Sequence, residues 1–436
     1  MQLQHQINVS VNRGAVSSRR DFLRTVGATA AAGGVMSWTD RVSLASSELH
    51  KRGKACILLW MAGGPSQLET FSPQPDHANG GETKAIATNV AGIQIADRLP
   101  HMAQVMDEVA IIRSMTAKDG SHPRASFLMH HGYLPMGGVK FPALGSNVAH
   151  QIGTDSIGNA ANELPSFVRI GAKGQNLGNG GFLGVDYDPL TLQRADRPPM
   201  NSKPATSRQR YRRRLGLLNQ LQAGFAAEGA ADIVADQRKL IQASSDMILS
   251  PQMATFDIGK EPTSVREQYG TGPFADGCLL ARRLVEAGVT FVEVGLGGWD
   301  THNDNFAKTK ELCGNLDQPM AALIRDLKSR GLLDDTLVVW MGEFGRTPRI
   351  NARSGRDHFP RAFNVALAGG GIRGGQVIGA TGDGGTAVTE RPVTPKDLYQ
   401  TIYTALGIDP EHENESLIGR PIKLVDEGEP VRELLG

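Results

Sequence analysis

Two kinds of hydrophobic pattern alternate along most of the chain. Short, nearly continuous apolar runs are typical of buried strands, and stretches with apolar residues every three or four positions are typical of helices. The strand-like runs are 54–64, 109–114, 165–171, 289–295, 335–343 and 363–372. The helical stretches include 274–288, 316–331, 394–408 and the part of 99–115 that precedes the strand 109–114. The alternation predicts an α/β sandwich of three layers, with a central, mostly parallel sheet and helices on both faces.

A polar stretch at about 205–260 carries helical patterns but no strand, which predicts a helix-rich insertion. It begins with the basic run RQRYRRR at 208–214. With 46 basic and 45 acidic residues the chain has a net charge of only +1, and Tyr211 is the one aromatic residue in the run. We therefore interpret the run as a solvated helix face and expect no nucleic-acid partner. Just beyond, Ser264 and Glu267 have the spacing of a capping box.

Composition narrows the class of protein further. The 52 glycines among 436 residues exceed the usual share of about 7% and cluster in loops such as 178–184 and 368–375. These loops lack the Lys-Ser/Thr of a P-loop and the dinucleotide fingerprint, so nucleotide binding ranks last among the functions considered. The three cysteines, Cys56, Cys278 and Cys313, show no paired spacing, which excludes a zinc framework and a disulfide scaffold.

The N-terminal segment resembles a twin-arginine export signal. Arg19 and Arg20 lie in the pattern S-R-R-x-F-L from Ser18 to Leu23, and a weakly apolar stretch, too short to span a membrane, follows at 26–36. The small residues at 43–45 suit a cleavage site. We expect a signal peptide over 1–45, recognition by the twin-arginine translocation machinery, and a periplasmic or extracellular domain over 50–436 without a stable membrane span. A basic solvated tail is the alternative.

Chemically capable side chains follow three of the predicted strands. WDTHND at 299–304 brings Asp300 and His302, which point to the same side if the segment is extended. Glu343 ends the next strand, and the pair Asp357–His358 comes about fifteen residues later. Carboxylate and imidazole ligands suit Zn, Mn or Fe, with Ca possible where carboxylates dominate. Each motif alone is typical of a surface pair, but three at successive strand exits favour a site for one or two divalent metal ions.

The segments GGPSQLETFSP, GGWDTHNDNF and GEFGRTPRIN…GRDHFP resemble the exported DUF1501 family over about 54–425. That family is usually placed in the alkaline phosphatase-like superfamily, together with sulfatases and phosphatases. The resemblance implies that Asp300, His302, Glu343 and His358 hold the metal, and that Asp357 is a further ligand or orients His358. Two arginines beside these motifs, Arg346 and Arg356, are predicted to bind the anionic group of a substrate, because guanidinium groups match phosphate or sulfate bidentately; a solvated loop with salt bridges is the alternative.

The chain departs from the superfamily pattern in three places. The first strand exit lacks the usual Asp and offers only Ser66 and Glu69, and Phe344 replaces a ligand His. The nucleophile segment at 121–135 contains Ser121 and His122. Either is a candidate nucleophile, as is water held by the metal, and His122 is alternatively a metal ligand. Alternatively, this segment only caps a helix beginning near Pro123. No cysteine has the context of a formylglycine sulfatase.

Together these features predict an exported metal-dependent hydrolase of a phosphate or sulfate ester, with a saccharide as one candidate carrier. The alternative is a non-catalytic periplasmic binding or assembly protein that retains the fold with a degenerate site. The missing first-strand Asp and the ambiguous nucleophile sustain this alternative. The two functions differ in whether the protein needs a stoichiometric metal ion.

Overall fold

The computed structural model describes residues 53–153, 163–172, 177–416 and 418–436. The predicted export signal at 1–45 lies outside the described residues. Within them, Lys54–Gly436 forms one compact unit.

Eight α-helices and sixteen strands are present in the described part of the chain. The helices are α1 His122–His131, α2 Leu144–Gly153, α3 Arg208–Phe225, α4 Ala231–Leu249, α5 Thr263–Tyr269, α6 Pro273–Glu286, α7 Asn305–Ser329 and α8 Pro395–Ala405. The strands are β1 Ala55–Trp60, β2 Ala85–Ala87, β3 Gln94–Ala96, β4 Val109–Met115, β5 Phe167–Ile170, β6 Leu190–Leu192, β7 Phe291–Gly295, β8 Thr336–Met341, β9 Gly345–Arg346, β10 His358–Phe359, β11 Phe363–Ala368, β12 Gln376–Ile378, β13 Ala380–Thr381, β14 Val388–Glu390, β15 Glu413–Glu415 and β16 Pro421–Lys423.

Eight strands form the central sheet in the order β12-β4-β11-β8-β1-β7-β5-β6. The pairs β8–β1, β1–β7, β7–β5 and β5–β6 are parallel, as is β12–β4. Strand β11 runs antiparallel to both of its neighbours, β4 and β8. Seven strands therefore point one way, and the predicted α/β class with a mostly parallel sheet is confirmed.

The reversed strand β11 has a direct consequence for the loop before it. The chain leaves β8 at the carboxyl edge of the sheet and re-enters through β11, which runs the opposite way. Residues 342–362 therefore never cross to the other edge. They form a long excursion at the carboxyl edge, and this excursion carries two of the three predicted site motifs, Glu343 and the pair Asp357–His358.

Both faces of the sheet are buried, which gives the three layers. Along β1, Ile57 and Leu59 belong to one hydrophobic cluster with residues of α6 and α7. Cys56, Leu58 and Trp60 alternate with them and join a second cluster with residues of α2 and α8. Because every residue of β1 is buried, the strand reads as a continuous apolar run rather than an alternating one.

Two local predictions were wrong. Residues 99–108 form two short 3₁₀ turns, Met102–Gln104 and Met106–Glu108, instead of an α-helix. The predicted capping box at 264–267 is absent because α5 begins at Thr263 with Pro262 as its N-cap, two residues before the predicted N-cap Ser264. Of the helices in the described ranges, none is both long enough and apolar enough to cross a bilayer.

Candidate metal centre

Strand exits from the central sheet meet at its carboxyl edge. Since β4, β1, β7 and β8 run the same way, the residues that follow them lie at one edge of the sheet. His122 opens α1 after β4, Gly63 follows β1, Asp300 follows β7, and Glu343 follows β8. Residues distant in sequence are thereby brought into contact.

Three imidazoles converge on one carboxylate oxygen. Asp300 Oδ1 lies 3.4 Å from His122 Nε2, 3.1 Å from His302 Nε2 and 3.3 Å from His358 Nε2. The Nε2 atoms of His302 and His358 are 3.0 Å apart. His122, Asp300 and His358 together place one potential ligand atom each within 4.8 Å of the others. The structure thus brings together the predicted ligands Asp300, His302 and His358, and it adds His122, which we predicted as a nucleophile or ligand.

The other ring nitrogen of each imidazole is held by an acceptor. His122 Nδ1 donates to Glu343 Oε1 over 2.7 Å, and His302 Nδ1 donates to Asp357 Oδ1 over 2.8 Å. His358 Nδ1 donates to the Gly120 carbonyl over 2.7 Å. Because each Nδ1 carries the proton, each neutral ring presents an Nε2 lone pair to the cluster.

These contacts correct one of the two roles predicted for Asp357, the orientation of His358. Asp357 directly precedes His358 in sequence, yet its carboxylate accepts from His302, 55 residues away, and not from the adjacent His358. His358 is oriented instead by the Gly120 carbonyl. Gly120 lies in the loop before α1, and no feature of the sequence indicated that its carbonyl would orient a histidine.

Glu343 is likewise an orienting residue. Its Oε1 accepts from His122 and also from the Gly63 N–H over 2.9 Å. Its hydrogen bond raises the pKa of His122, against the opposing effect of burial. Glu343 Oε2 and His122 Nε2 are both buried, and neither forms a hydrogen bond with any described residue. Two orphaned polar atoms therefore lie in the cluster, one of them aimed at Asp300.

Arg346 is the cationic partner of Asp300. Its Nη2 donates to Asp300 Oδ1 over 2.6 Å, and the side chain is 0% exposed. Burial alone would raise the pKa of the Asp300 carboxyl, but the hydrogen bond and charge of Arg346, with the nearby imidazoles, lower it to about 2. Arg346 also donates to the carbonyls of Gly63 and Gly64, so it ties the β1 exit to the β7 exit.

Arg356 occupies a different environment from the one predicted. It forms a bidentate pair with Glu69, at 3.1 Å and 2.7 Å, and both side chains are 0% exposed. Its remaining donors bind the carbonyls of Asn79, Thr347 and Pro348. Because every donor is used and no part is accessible, Arg356 cannot bind the anion of a substrate. Arg356 holds the 342–362 excursion in place. Because Glu69 is paired with it, Glu69 is not available as a ligand in the cluster.

Ser121 is the N-cap residue of α1, and its side chain is exposed and makes no capping hydrogen bond. Its backbone N–H donates to Asp119. Ser66, the other hydroxyl considered at a strand exit, is fully buried with an unpartnered Oγ. Ser121 therefore precedes a helix, as the alternative prediction for this segment stated. Its hydroxyl makes no capping hydrogen bond and stays available as a nucleophile.

The donor set fits a transition metal ion. Ligands about 2.0–2.1 Å from a tetrahedral zinc ion lie about 3.3 Å from one another. Asp300 Oδ1 lies 3.1–3.4 Å from the three Nε2 atoms, and the ligand atoms that all lie within 4.8 Å of one another are those of His122, Asp300 and His358. Nitrogen ligands outnumber oxygen ligands, which favours Zn, Mn or Fe over Ca. Hydrogen bonds from each ligand imidazole to a carboxylate or carbonyl are also the usual support of such sites.

A cleft of about 1010 Å³ opens beside this cluster. His122, Asp300 and Glu343 are among its lining residues, as are residues at further strand exits, namely Gly171 after β5, Arg194 after β6 and Leu296 after β7. The cleft therefore follows the carboxyl edge of the sheet. Its volume is at the upper end of the range of about 300–1,000 Å³ that is common for small-molecule sites.

The comparison with protein families is decisive on one point. Residues 53–435 match the family described as "Protein of unknown function (DUF1501)". The chain belongs to the DUF1501 family. The predicted family resemblance is thus confirmed for this DUF1501 protein, while the twin-arginine pattern falls on residues outside the described part. No curated protein matches the chain.

Solved structures of hydrolases and a synthase are distantly similar to this DUF1501 chain. The sulfatase PsFucS1 from a Pseudoalteromonas species has 13% identity and a TM-score of 0.39, covering 92% of this chain and 76% of its own. The lipoteichoic acid synthase LtaP from Listeria monocytogenes has 9% identity and a TM-score of 0.39, covering 86% and 75%. The phosphonate monoester hydrolase of Agrobacterium radiobacter has 12% identity and a TM-score of 0.31, covering 87% and 77%. At these TM-scores the similarity carries no information about activity. Activity has to be inferred from the side chains of this chain.

Proposed function

We propose that this protein is an exported, metal-dependent hydrolase of a phosphate or sulfate ester. One observation carries the proposal. Three imidazole Nε2 lone pairs face a carboxylate oxygen at 3.1–3.4 Å, while every Nδ1 is committed to an acceptor. Arg346 balances the charge of Asp300 from one side, but the Nε2 lone pairs that converge beside it repel one another unless a cation lies among them.

The residues that would hold the ion are Asp300, His122 and His358, whose ligand atoms all lie within 4.8 Å of one another. His302, whose Nε2 lies 3.1 Å from Asp300 Oδ1 and 3.0 Å from His358 Nε2, is the candidate fourth ligand. When bound, a divalent ion at this position would polarise an anionic ester and stabilise the charge that develops on it. Glu343 and Asp357 keep His122 and His302 in the tautomer that presents Nε2, which is what a ligand imidazole requires. The chain supplies one such cluster among its described residues, so we assign a single ion.

The chain's own residues also shape the place where an ester would bind. The buried Arg346 guanidinium fixes Asp300, and Phe344 packs against the rings of His122 and His358 with centroids 4.9 Å and 4.6 Å away. This apolar wall excludes water from one side of the cluster and strengthens electrostatic interactions there. The cleft on the other side has room for a carrier group larger than the ester itself.

Elemental analysis of the purified protein tests the metal. We expect about one equivalent of Zn, Mn or Fe in the wild type and none in the His302→Ala/His358→Ala double variant. The matched control is His101→Ala/His412→Ala, since both of these histidines are exposed. Absence of metal in the wild type, with the site variant equally stable, would contradict the hydrolase and favour a non-catalytic periplasmic binding protein.

Hydrolysis is tested on the loaded protein with aryl phosphate, phosphate diester and aryl sulfate substrates. Turnover of any of these is expected to disappear with the metal. Ser121→Ala, measured with the same substrate, assigns the attack: loss of turnover with retained metal assigns it to the Ser121 hydroxyl, and unchanged turnover assigns it to water. Metal without turnover on any ester class would contradict the hydrolase while leaving the metal site intact.

A further inference from the structure

The helix α3 presents an unusual exposed face. Its 18 residues include five arginines, all in the first seven positions, and no acidic residue. Three large apolar side chains in its second half are mostly exposed, Leu217 at 57%, Leu221 at 62% and Phe225 at 65%. A single solvated apolar residue needs no explanation, but three on one helix do.

An adjoining face of α3 is the one that packs. Positions 211, 215, 218 and 222 are partly or fully buried and recur at helical spacing. Hydrogen bonds from Tyr211 to Ser245 and from Gln222 to Gln237 join this face to α4. The exposed leucines and phenylalanine are therefore not the packing face of the helix pair.

The exposed basic and apolar residues share one sector of the helix. At about 100° per residue, Arg213, Leu217, Leu221 and Phe225 advance by about 40° at each step, and Arg210 and Arg214 lie between them. Six side chains thus fall within a sector of about 120°. None of the three arginines forms an ion pair with a described side chain, whereas Lys239 on the neighbouring helix α4 pairs with Asp186.

We propose that this face of α3 docks on an anionic membrane surface. Arginine side chains bind anionic headgroups, and exposed leucine and phenylalanine side chains enter the boundary between headgroups and acyl chains, which is the behaviour of amphipathic interfacial helices. The helix is about 27 Å long and would lie in the plane of the surface. This inference is independent of the proposed hydrolase activity.

Charge decides between this occupant and the others. A second copy of the chain would bring five arginines against five arginines. The N-terminal residues 1–52 carry seven basic and three acidic residues, so they too are repelled. Among the occupants considered, an anionic surface is the one that complements the charge and the apolar stripe together.

Vesicle co-sedimentation of the full chain tests the proposal. We expect binding to vesicles of phosphatidylglycerol and phosphatidylcholine, little binding to phosphatidylcholine alone, and a marked loss at high salt. Replacing Arg210, Arg213 and Arg214 by Gln should lower the partition coefficient about a hundredfold, since each arginine near an anionic surface contributes about fivefold. The control replaces Arg420, Arg432 and Lys260, three exposed cations elsewhere, by Gln and should change binding far less.

The apolar stripe is tested by Leu217→Gln/Leu221→Gln/Phe225→Gln, with circular dichroism to show that the helices persist. All variants carry the same N-terminal residues, so any contribution of 1–52 cancels. Loss of binding in both the arginine and the apolar variants supports the proposal. Loss in the arginine variant alone indicates a soluble polyanion or acidic protein as the partner and overturns it. Equal loss in the control also overturns it, as does a wild type that dimerises in the absence of lipid through this face.

Discussion

At the scale of single residues, the site depends on groups that orient ligands as much as on the ligands. The Asp357 carboxylate accepts from His302 Nδ1 and thereby fixes the proton of that ring on Nδ1. Asp300 and His302 were predictable because they follow a strand at alternate positions. The pairing of Asp357 with His302, or of Arg356 with Glu69 across 287 residues, was not, because pairings over such separations depend on how the loops fold back.

We expect Asp357→Ala to weaken metal binding about 10–100-fold without abolishing it, since removal of an orienting partner typically has this effect. Asp357→Asn keeps an oxygen that can accept from His302 and should lose less. Metal affinity is measured by competition with a chromophoric chelator. Asp76→Ala, at an exposed position, serves as the control. A variant that loses the metal altogether would make Asp357 a ligand.

His131 provides a prediction about pH that is separate from the metal cluster. Burial lowers the pKa of His131 to about 4, from an ordinary value of 6.5. Between these values the unfolded chain binds a proton at this residue and the folded chain does not, so stability falls as pH decreases from about 6.5 to 4. The loss at pH 4 is at most about 3 kcal/mol.

Urea unfolding at pH 7 and pH 4.5 measures this loss. His131→Phe keeps an aromatic ring stacked on Phe127 and removes the titration, so its free energy of unfolding should change less between the two pH values. The same pH dependence in wild type and variant would show that other groups are responsible. His412→Phe, at an exposed position, controls for the substitution itself.

At the scale of elements, the hydrophobic pattern predicted the strands and which of them are followed by site residues, but it did not predict the direction in which each strand runs. Every residue of β11 is buried, as in the neighbouring strand β8, so no sequence pattern distinguishes it as antiparallel. Its direction depends on the excursion 342–362, which stays at the carboxyl edge because Arg346 and Arg356 bind it to the β1 exit and the turn near Asn79. Strand exits are predictable from periodicity, but loop paths depend on tertiary hydrogen bonds.

The β1 exit positions the β7 exit through close backbone contact at Gly63. Gly63 has a φ of +113°, and a Cβ added there would lie 2.4 Å from the Asp300 backbone nitrogen. We expect Gly63→Ala to displace Asp300 and to lower metal affinity at least tenfold, in addition to the cost of about 1 kcal/mol or more for a non-glycine residue in this conformation. Gly92 also has a positive φ, of +83°, but has no neighbour within 4 Å.

Gly92→Ala is therefore the matched control, because it carries backbone strain without the clash. Both variants are compared by thermal unfolding and by metal titration. Both should be destabilised, and only Gly63→Ala should lose metal affinity. Equal metal affinity in the two variants would mean that the β1 exit does not position Asp300.

At the scale of the whole molecule, the fate of the cysteines bears on the proposed export route. Cys56, Cys278 and Cys313 are all buried free thiols, and burial raises the pKa of each. A thiol with a raised pKa has little reactive thiolate. If the chain folds in a reducing compartment and is exported in the folded state, all three cysteines would remain thiols even after the protein reaches an oxidising compartment.

We expect the exported protein to incorporate no iodoacetamide while folded and three equivalents after unfolding in urea, as read by mass spectrometry. The twin-arginine pattern predicts the route: Arg19→Lys/Arg20→Lys should leave the folded chain in the cytoplasm, whereas Arg13→Lys/Arg24→Lys, outside the paired arginines, should not. A disulfide in the exported protein would show that it crossed the membrane before it folded. Export of the paired-lysine variant at the wild-type level would contradict the twin-arginine assignment itself, because the paired arginines are the feature on which that assignment depends.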